Sequence, residues 1–169
     1  MGRLATVGPL TERSPFVKNV HSILHPTDFS RCADKAFQAA CALARDRNAQ
    51  LVVLHVLKPV TLAGQWIAFE VFERDVFESL ASLRKREPDL RIETMVRKGD
   101  PARGILSLAR ELSSDLIVMG AGRSAGHDTA ESKVAAEVMR HAPCPVMTVR
   151  IPHVEWRSGR ARAPLAPAT

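Results

Sequence analysis

The stretch from Asp115 to Arg150 constrains the fold of this chain more than any other part of the sequence. An apolar run, 116–119, ends abruptly at Gly120-Ala121-Gly122. A polar loop, a helical pattern and a second apolar run after Pro145 follow. Many α/β proteins build a phosphate site from this order of strand, glycine-rich turn, helix and strand. The sequence therefore predicts an α/β unit whose turn is a candidate phosphate site.

The rest of the chain repeats this alternation. Continuous apolar runs suit strands buried on both faces of a parallel sheet, and apolar residues three and four apart predict helices. Strands are predicted at 20–24, 50–57, 90–97, 115–119 and 145–150, helices at 31–45, 69–86, 100–112 and 132–141, and a loop at 58–65. This order indicates one α/β domain with a five-stranded, mainly parallel open sheet and helices on both faces. The predicted segments are a flexible N-terminal arm (1–18), the domain (19–151) and a disordered C-terminal tail (152–169).

Charge and composition exclude several classes of protein. The net charge is +6, but each terminal segment, 1–18 and 151–169, holds three basic residues and one acid. The body between them is nearly balanced, which argues against nucleic-acid binding. No apolar run reaches the roughly 18 residues that span a membrane, and the N-terminus lacks a secretory signal, so a cytoplasmic location is expected. Three widely spaced cysteines predict neither a disulfide framework nor a zinc site.

Five segments resemble the universal stress protein family in their order and spacing. They are ILHPTDFS (23–30), LVVLHVL (51–57), GDPARGIL (99–106), DLIVMGAGR (115–123) and AAEVMRHAPCPVMTVR (135–150). The resemblance implies an adenine-nucleotide α-hydrolase-like fold with strand order 3-2-1-4-5. It also implies a homodimer formed by antiparallel pairing of the last strand, Pro145 to Arg150. An uncovered apolar edge at that strand invites such pairing.

The strand order places a switch point between the first and fourth strands, where ligands of open α/β sheets bind. The resemblance implies ATP or AMP as the ligand there, with Mg²⁺ in the case of ATP. The residues implied for the adenine and ribose side are Pro26, Asp28, Val56 and Met119. The remaining residues implied for nucleotide binding are Thr27, Gly120, Gly122, Ser132, Lys133 and Val134. Asp28 can equally cap the helix that follows, and the two roles are compatible.

The glycine motif departs from the pattern of the family members that bind ATP. They resemble one another in G-x2-G-x9-G-S/T, whereas this chain has G-x-G-x9-S-K, ending at Ser132-Lys133. The missing residue displaces the amides that should meet the phosphates, and Ser132 brings a Cβ to a position where the family has none. Lys133 offers a compensating cation, but Asp128 and Glu131 add negative charge or form a capping box. Weak or absent ATP binding is therefore expected.

Two other interpretations concern histidines and enzymes. His25 and His55 lie late in adjacent predicted strands, where a metal pair is conceivable. A third ligand of suitable spacing is missing, so packed, hydrogen-bonded histidines are favoured. An adenylating enzyme would need a phosphate loop near the N-terminus, which ILHPTDFS (23–30) does not supply. We expect no catalytic residues, and at most slow ATP hydrolysis.

The expected function is a dimeric stress-response regulator that binds ATP weakly or not at all and acts on protein partners that the sequence does not name. The alternative is a competent ATP- or AMP-binding protein whose nucleotide occupancy acts as a switch. The two differ in the weight given to the altered glycine motif, since the adenosine side is common to both.

Overall fold

A computed structural model describes residues 20–58, 61–62, 65–66, 70–121 and 130–151. The strands are β1 (Ser22–Pro26), β2 (Gln50–Leu57), β3 (Thr61–Leu62), β4 (Gln65–Trp66), β5 (Ile92–Lys98), β6 (Leu116–Gly120) and β7 (Val146–Val149). The helices are α1 (Arg31–Arg47), α2 (Glu70–Lys85), α3 (Pro101–Glu111) and α4 (Ala130–His141). The predicted N-terminal arm and the C-terminal tail from residue 152 lie outside the described residues.

The main sheet has five parallel strands in the order β5-β2-β1-β6-β7. This is the predicted order 3-2-1-4-5, counted over the strands of the main sheet. Its strands are continuously apolar in the middle, because both faces of the sheet are covered by helices. Within the described ranges, every helix is too short or too polar to cross a membrane.

Two apolar clusters lie on the two faces of the sheet. The first joins α1 and α2 to the sheet, and Phe37 and Leu80 are completely buried in it. The second joins α3 and α4 to the other face. Successive residues of a strand point to opposite faces. Val56 and Met119 therefore both belong to the α3/α4 face, with Leu54 and Ile117.

Local signals explain where the helices begin. Ser30 is the N-cap of α1, and its Oγ accepts a hydrogen bond of 3.2 Å from the amide of Ala33. Asp100 caps α3 in the same way, accepting from the amide of Arg103 at 2.9 Å, and Pro101 occupies the first turn. Proline fits there because its missing N–H would have no helical partner.

Three sequence predictions need correction. The first strand lies at Ser22–Pro26 rather than 20–24, so His25 and Pro26 belong to the strand instead of ending it. The predicted loop at 58–65 contains β3 and β4, an antiparallel pair too short to leave a periodic signal. The last strand covers Val146–Val149, a shorter segment than Pro145–Arg150.

Candidate functional site

The ladder between β1 and β6 ends early and opens a crevice at the carboxyl ends of these strands. β1 pairs with β2 over five residues, through Pro26 opposite Leu54. It pairs with β6 only at Ile23 and Leu24. In this parallel register, the next N–H directed at β6 would come from position 26 and would donate to the carbonyl of Val118. Proline has no N–H, so the ladder stops at that point.

His25 supplies the hydrogen bond that Pro26 cannot. Its Nδ1 lies 2.8 Å from the carbonyl oxygen of Val118. A carbonyl only accepts hydrogen bonds, so Nδ1 carries the proton. Nε2 is then a bare acceptor, and it is buried without a hydrogen-bond partner among the described residues. Burial lowers the pKa of His25 to about 4, against smaller opposing effects of this hydrogen bond and of Asp28 and Asp34. The ring is therefore neutral at physiological pH.

The turn after β1 is fixed by a short chain of contacts. The amide of Thr27 donates to the carbonyl of Leu54 at 2.8 Å, and His55 Nδ1 lies 2.8 Å from the carbonyl of Thr27. Phe29 has a φ of 61° and stacks on the His55 ring, with centroids 4.8 Å apart. A bulky residue with positive φ is an outlier that surrounding contacts must hold. The stacked pair therefore stabilises the turn that carries Asp28.

Asp28 itself is exposed at the mouth of the crevice. Its Oδ1 accepts a hydrogen bond of 2.9 Å from the amide of Ser30. The N-cap of α1 is Ser30, so Asp28 shapes the turn before the helix instead of capping it. Its second carboxylate oxygen has no hydrogen bond from the described residues. That oxygen is placed to accept from a ligand hydroxyl.

Gly120 is required by packing, whatever its part in ligand binding. A Cβ at this position would lie 2.7 Å from both the amide nitrogen of Ala33 and the carbonyl carbon of Cys32. Both atoms are backbone of the first turn of α1, so rotation of a side chain cannot relieve the contact. The end of β6 therefore passes directly beneath α1. This close packing is enough to explain why position 120 is a glycine, whether or not a phosphate binds nearby.

The structure brings part of the predicted site together. Pro26, Thr27 and Met119 are buried at the strand ends, Val56 is half-buried, and Asp28 is exposed. On α4, Ser132 lies in the first turn, Lys133 is exposed, and Val134 packs against the same apolar cluster as Met119. Gly122 and Asp128 lie outside the described residues. The residues predicted for the adenosine side thus lie at strand ends or in the turn after β1, whereas Gly122 of the predicted phosphate side lies outside the described residues.

A small cavity adjoins the turn on the α1/α2 face. Its volume is about 70 Å³, enough for a few water molecules and far below that of a nucleotide pocket. The lining residues are Thr27, Phe29, Ala33, Asp34, Phe37 and Leu83. Because Val56 and Met119 lie on the opposite face, this cavity is separate from the crevice. Asp34 is already engaged with Arg86 and Gln38.

The histidines and cysteines do not form a metal centre in the described part of the chain. No three ligand side chains converge there, and Nδ1 of both His25 and His55 is within hydrogen-bond distance of a backbone carbonyl. The three cysteines are free, and burial raises the pKa of Cys41 to about 12. Packed, hydrogen-bonded histidines agree with the interpretation favoured from the sequence.

Sequence reasoning missed the parts played by Phe29 and Gly104. The left-handed φ of Phe29 left no signal, because a phenylalanine gives no reason to expect it. Gly104 lies inside α3, and a Cβ there would be 3.0 Å from Val56 Cγ2. A glycine within a strong helical pattern was the available signal, since such a residue usually has a packing or functional reason.

Comparisons with known proteins agree with this geometry. The sequence profile of the universal stress protein family matches residues 19–150. A universal stress protein of Synechocystis is 34% identical over 137 residues, covering 76% of this chain and 84% of the relative. One from Methanocaldococcus jannaschii is 29% identical over 142 residues, covering 79% of this chain and 84% of the relative.

Solved structures show the same fold. Universal stress protein UspA from Lactobacillus plantarum matches with a TM-score of 0.64 and 26% identity, covering 78% of this chain and 99% of that chain. An Archaeoglobus fulgidus protein in complex with dAMP has a TM-score of 0.58 at 24% identity, over 76% and 97% of the two chains. An Arabidopsis thaliana protein with AMP bound has a TM-score of 0.56 at 20% identity, over 82% and 97%.

Proposed function

Because the chain belongs to the universal stress protein family, we propose that its crevice between β1 and β6 binds the adenosine part of an adenine nucleotide and binds the phosphates weakly. The observation that carries the proposal is the early end of the β1–β6 ladder at Pro26. It leaves an opening flanked by Met119 and Asp28 at the strand ends. Neighbours of the same fold are in complex with dAMP and AMP.

The residues on the two sides of the proposed site suggest that adenosine contributes more of the binding free energy than the phosphates do. Val56 and Met119 offer apolar surface on one face of the sheet, suited to a purine base. The free carboxylate oxygen of Asp28 suits a ribose hydroxyl. The phosphate side has Ser132-Lys133 where ATP-binding relatives have Gly-Ser or Gly-Thr. Binding should therefore depend on adenosine and gain little from each added phosphate.

Calorimetric titration with adenosine, AMP and Mg-ATP tests this division. We expect the three affinities to agree within about tenfold, the equivalent of roughly 1.4 kcal/mol. Ser132→Gly combined with Lys133→Ser should favour ATP over AMP relative to the parent chain. A parent chain that binds ATP a hundredfold more tightly than adenosine would instead establish a nucleotide-occupancy switch. Absence of binding by all three at millimolar concentration would refute the proposal.

Asp28→Ala tests the adenosine side. Loss of a hydrogen bond to a charged group costs about 1.5–3 kcal/mol, so adenosine affinity should fall at least tenfold. The matched control is Asp46→Ala, which removes an exposed carboxylate near the other end of α1. Equal affinities for the two variants would remove Asp28 from the site.

We further propose that the protein is a homodimer joined through the free edge of β7 and that it acts on protein partners as a stress-response regulator. β7 pairs with β6 on one side only. The carbonyls of Pro145 and Val149 accept from the amides of Ile117 in β6 and of Ala121 just after it. The alternate residues, Val146 and Thr148, therefore direct their N–H groups to the open edge. Half-buried Val149 and exposed Met147 give that edge an apolar character.

Thr148→Pro tests the interface without removing an N–H that donates to β6. Proline is tolerated in an edge strand where the lost N–H faces outward. We expect a monomer by light scattering with a native far-ultraviolet spectrum. Thr148→Val keeps the N–H and should stay dimeric. A dimeric proline variant would exclude pairing through this edge.

A further inference from the structure

Gly104 brings the backbone of α3 into direct contact with Val56. A Cβ built on Gly104 would lie 3.0 Å from Cγ2 and 3.4 Å from Cγ1 of Val56. The next contact outside the helix itself is Val56 Cβ, at 3.9 Å. A separation of 3.0 Å is well inside the usual 3.5–4.0 Å contact between carbon atoms. The two methyl groups of Val56 therefore occupy the space that a larger residue at position 104 would need.

The backbones on both sides of this contact are held by hydrogen bonds. β2 pairs with β5 up to Leu57 opposite Lys98, and the amide of Gly99 donates to the carbonyl of Leu57 at 2.9 Å. Asp100 caps α3, and its carbonyl accepts from the amide of Gly104 at 2.9 Å. The strand end and the helix start are thus tied to each other. The side chain of Val56 is the part that can move when the space narrows.

Val56 is also the residue of β2 that the proposed function places beside the adenine. It is half-buried near the carboxyl end of the strand and packs with the cluster that contains Met119. A valine side chain has few low-energy rotamers. A Cβ on α3 would therefore require the methyl groups of Val56 to give way by a few tenths of an ångström, which would change the shape of that side of the crevice.

We propose that Gly104 is a positioning residue, which sets the place of Val56 and thereby the fit of the adenine base. This inference rests on the proposed function. The bound base does not touch Gly104 in this scheme; the absence of a side chain there leaves Val56 in the rotamer that accepts the base. Alanine at position 104 would displace the methyl groups of Val56 by a few tenths of an ångström.

The first experiment compares Gly104→Ala with the parent chain by calorimetry with AMP. We expect AMP affinity to fall about three- to tenfold. Alanine is the stronger helix former, so a role confined to the stability of α3 would leave the affinity unchanged. Arg103→Ala, at the exposed neighbouring position, is the control that should keep parental affinity. An unchanged affinity for Gly104→Ala would overturn the proposal.

A double-mutant cycle with Val56→Ala separates the contact from other effects of the substitution. Val56→Ala removes both γ-methyl groups, so adding Gly104→Ala to it should cause no further loss of AMP affinity. A loss equal to that in the parent chain would show that Gly104 acts by another route and would refute the proposed positioning.

The same cycle in thermal unfolding without nucleotide gives a readout that does not depend on the proposed function. Gly104→Ala should raise Tm more in the Val56→Ala background than in the parent chain, because the clash is gone. If the parent chain binds no nucleotide, the proposed function is wrong, and so is the claim that Gly104 affects the fit of the adenine. The Tm cycle would still decide whether Gly104 positions Val56, and equal shifts in the two backgrounds would refute that as well.

Discussion

His25 should make the stability of this protein depend on pH between about 4 and 6.5. The folded state holds the ring neutral, because burial lowers its pKa to about 4, whereas the unfolded chain has the ordinary value of 6.5. Between these values the unfolded chain binds more protons, so acidification favours unfolding. The contribution of His25 is fully present above pH 6.5 and is lost as the pH falls towards 4.

The size of the effect follows from the separation of the two pKa values. At about 1.4 kcal/mol per pH unit, the interval from 6.5 to about 4 corresponds to roughly 3 kcal/mol, most of which is lost by about pH 4.5. That loss is a large part of the free energy of unfolding of an ordinary domain. Near neutral pH, the contribution of His25 should change very little.

Urea unfolding followed by far-ultraviolet circular dichroism at about pH 7.5 and 4.5 measures this dependence. His25→Asn is the comparison, since an amide can still donate to the carbonyl of Val118 but does not titrate in this range. The parent chain should lose roughly 2–3 kcal/mol more than the variant over this interval. If both lose the same free energy, His25 is not the group responsible, and the account of a buried neutral ring is wrong.

Three further predictions concern packing, capping and thiol reactivity. Gly120→Ala should lower the free energy of unfolding by about 3 kcal/mol, the upper part of the overpacking range, and lower Tm by roughly 10 °C, because its Cβ would meet rigid backbone; a Tm as high as that of the parent chain would contradict this. Asp100→Ala should cost about 1 kcal/mol in urea unfolding by removing the N-cap of α3, and Asp100→Asn should restore most of it. Under native conditions, a thiol reagent should modify Cys32 before Cys41, which is 1% exposed; equal rates would show that α1 opens readily.

The sequence predicted the order of the elements and the arrangement of the main sheet, because buried strands and amphipathic helices leave strong periodic signals. The N-caps Ser30 and Asp100 lie at the predicted starts of the helices 31–45 and 100–112. The bounds of β1 were wrong because a proline was taken as the end of a strand. Pro26 remains in the strand because it pairs with Leu54 of β2, and its missing N–H affects only the β6 side.

The candidate site was harder to predict, because close approaches between distant segments leave no local pattern. The packing of Gly120 under α1 and of Gly104 against Val56 joins residues far apart in the chain. Periodicity and motif spacing report neither contact. The resemblance to a family gave Gly120 a part in phosphate binding, whereas the structure gives it a packing reason that holds for any ligand state.

Because of Pro26, the free-energy cost of leaving β1 and β6 unpaired at the crevice is met during folding and not when a ligand binds. The missing ladder bond between β1 and β6 is a property of the covalent chain, and His25 satisfies the carbonyl left over. The crevice is therefore formed during folding, and a ligand that enters it breaks no hydrogen bond of the sheet. Association should then be limited by diffusion and desolvation and should not wait for the strands to separate. Replacing Pro26 with a residue that has an N–H would allow one more hydrogen bond between β1 and β6. A ligand would then have to break that bond before it could enter.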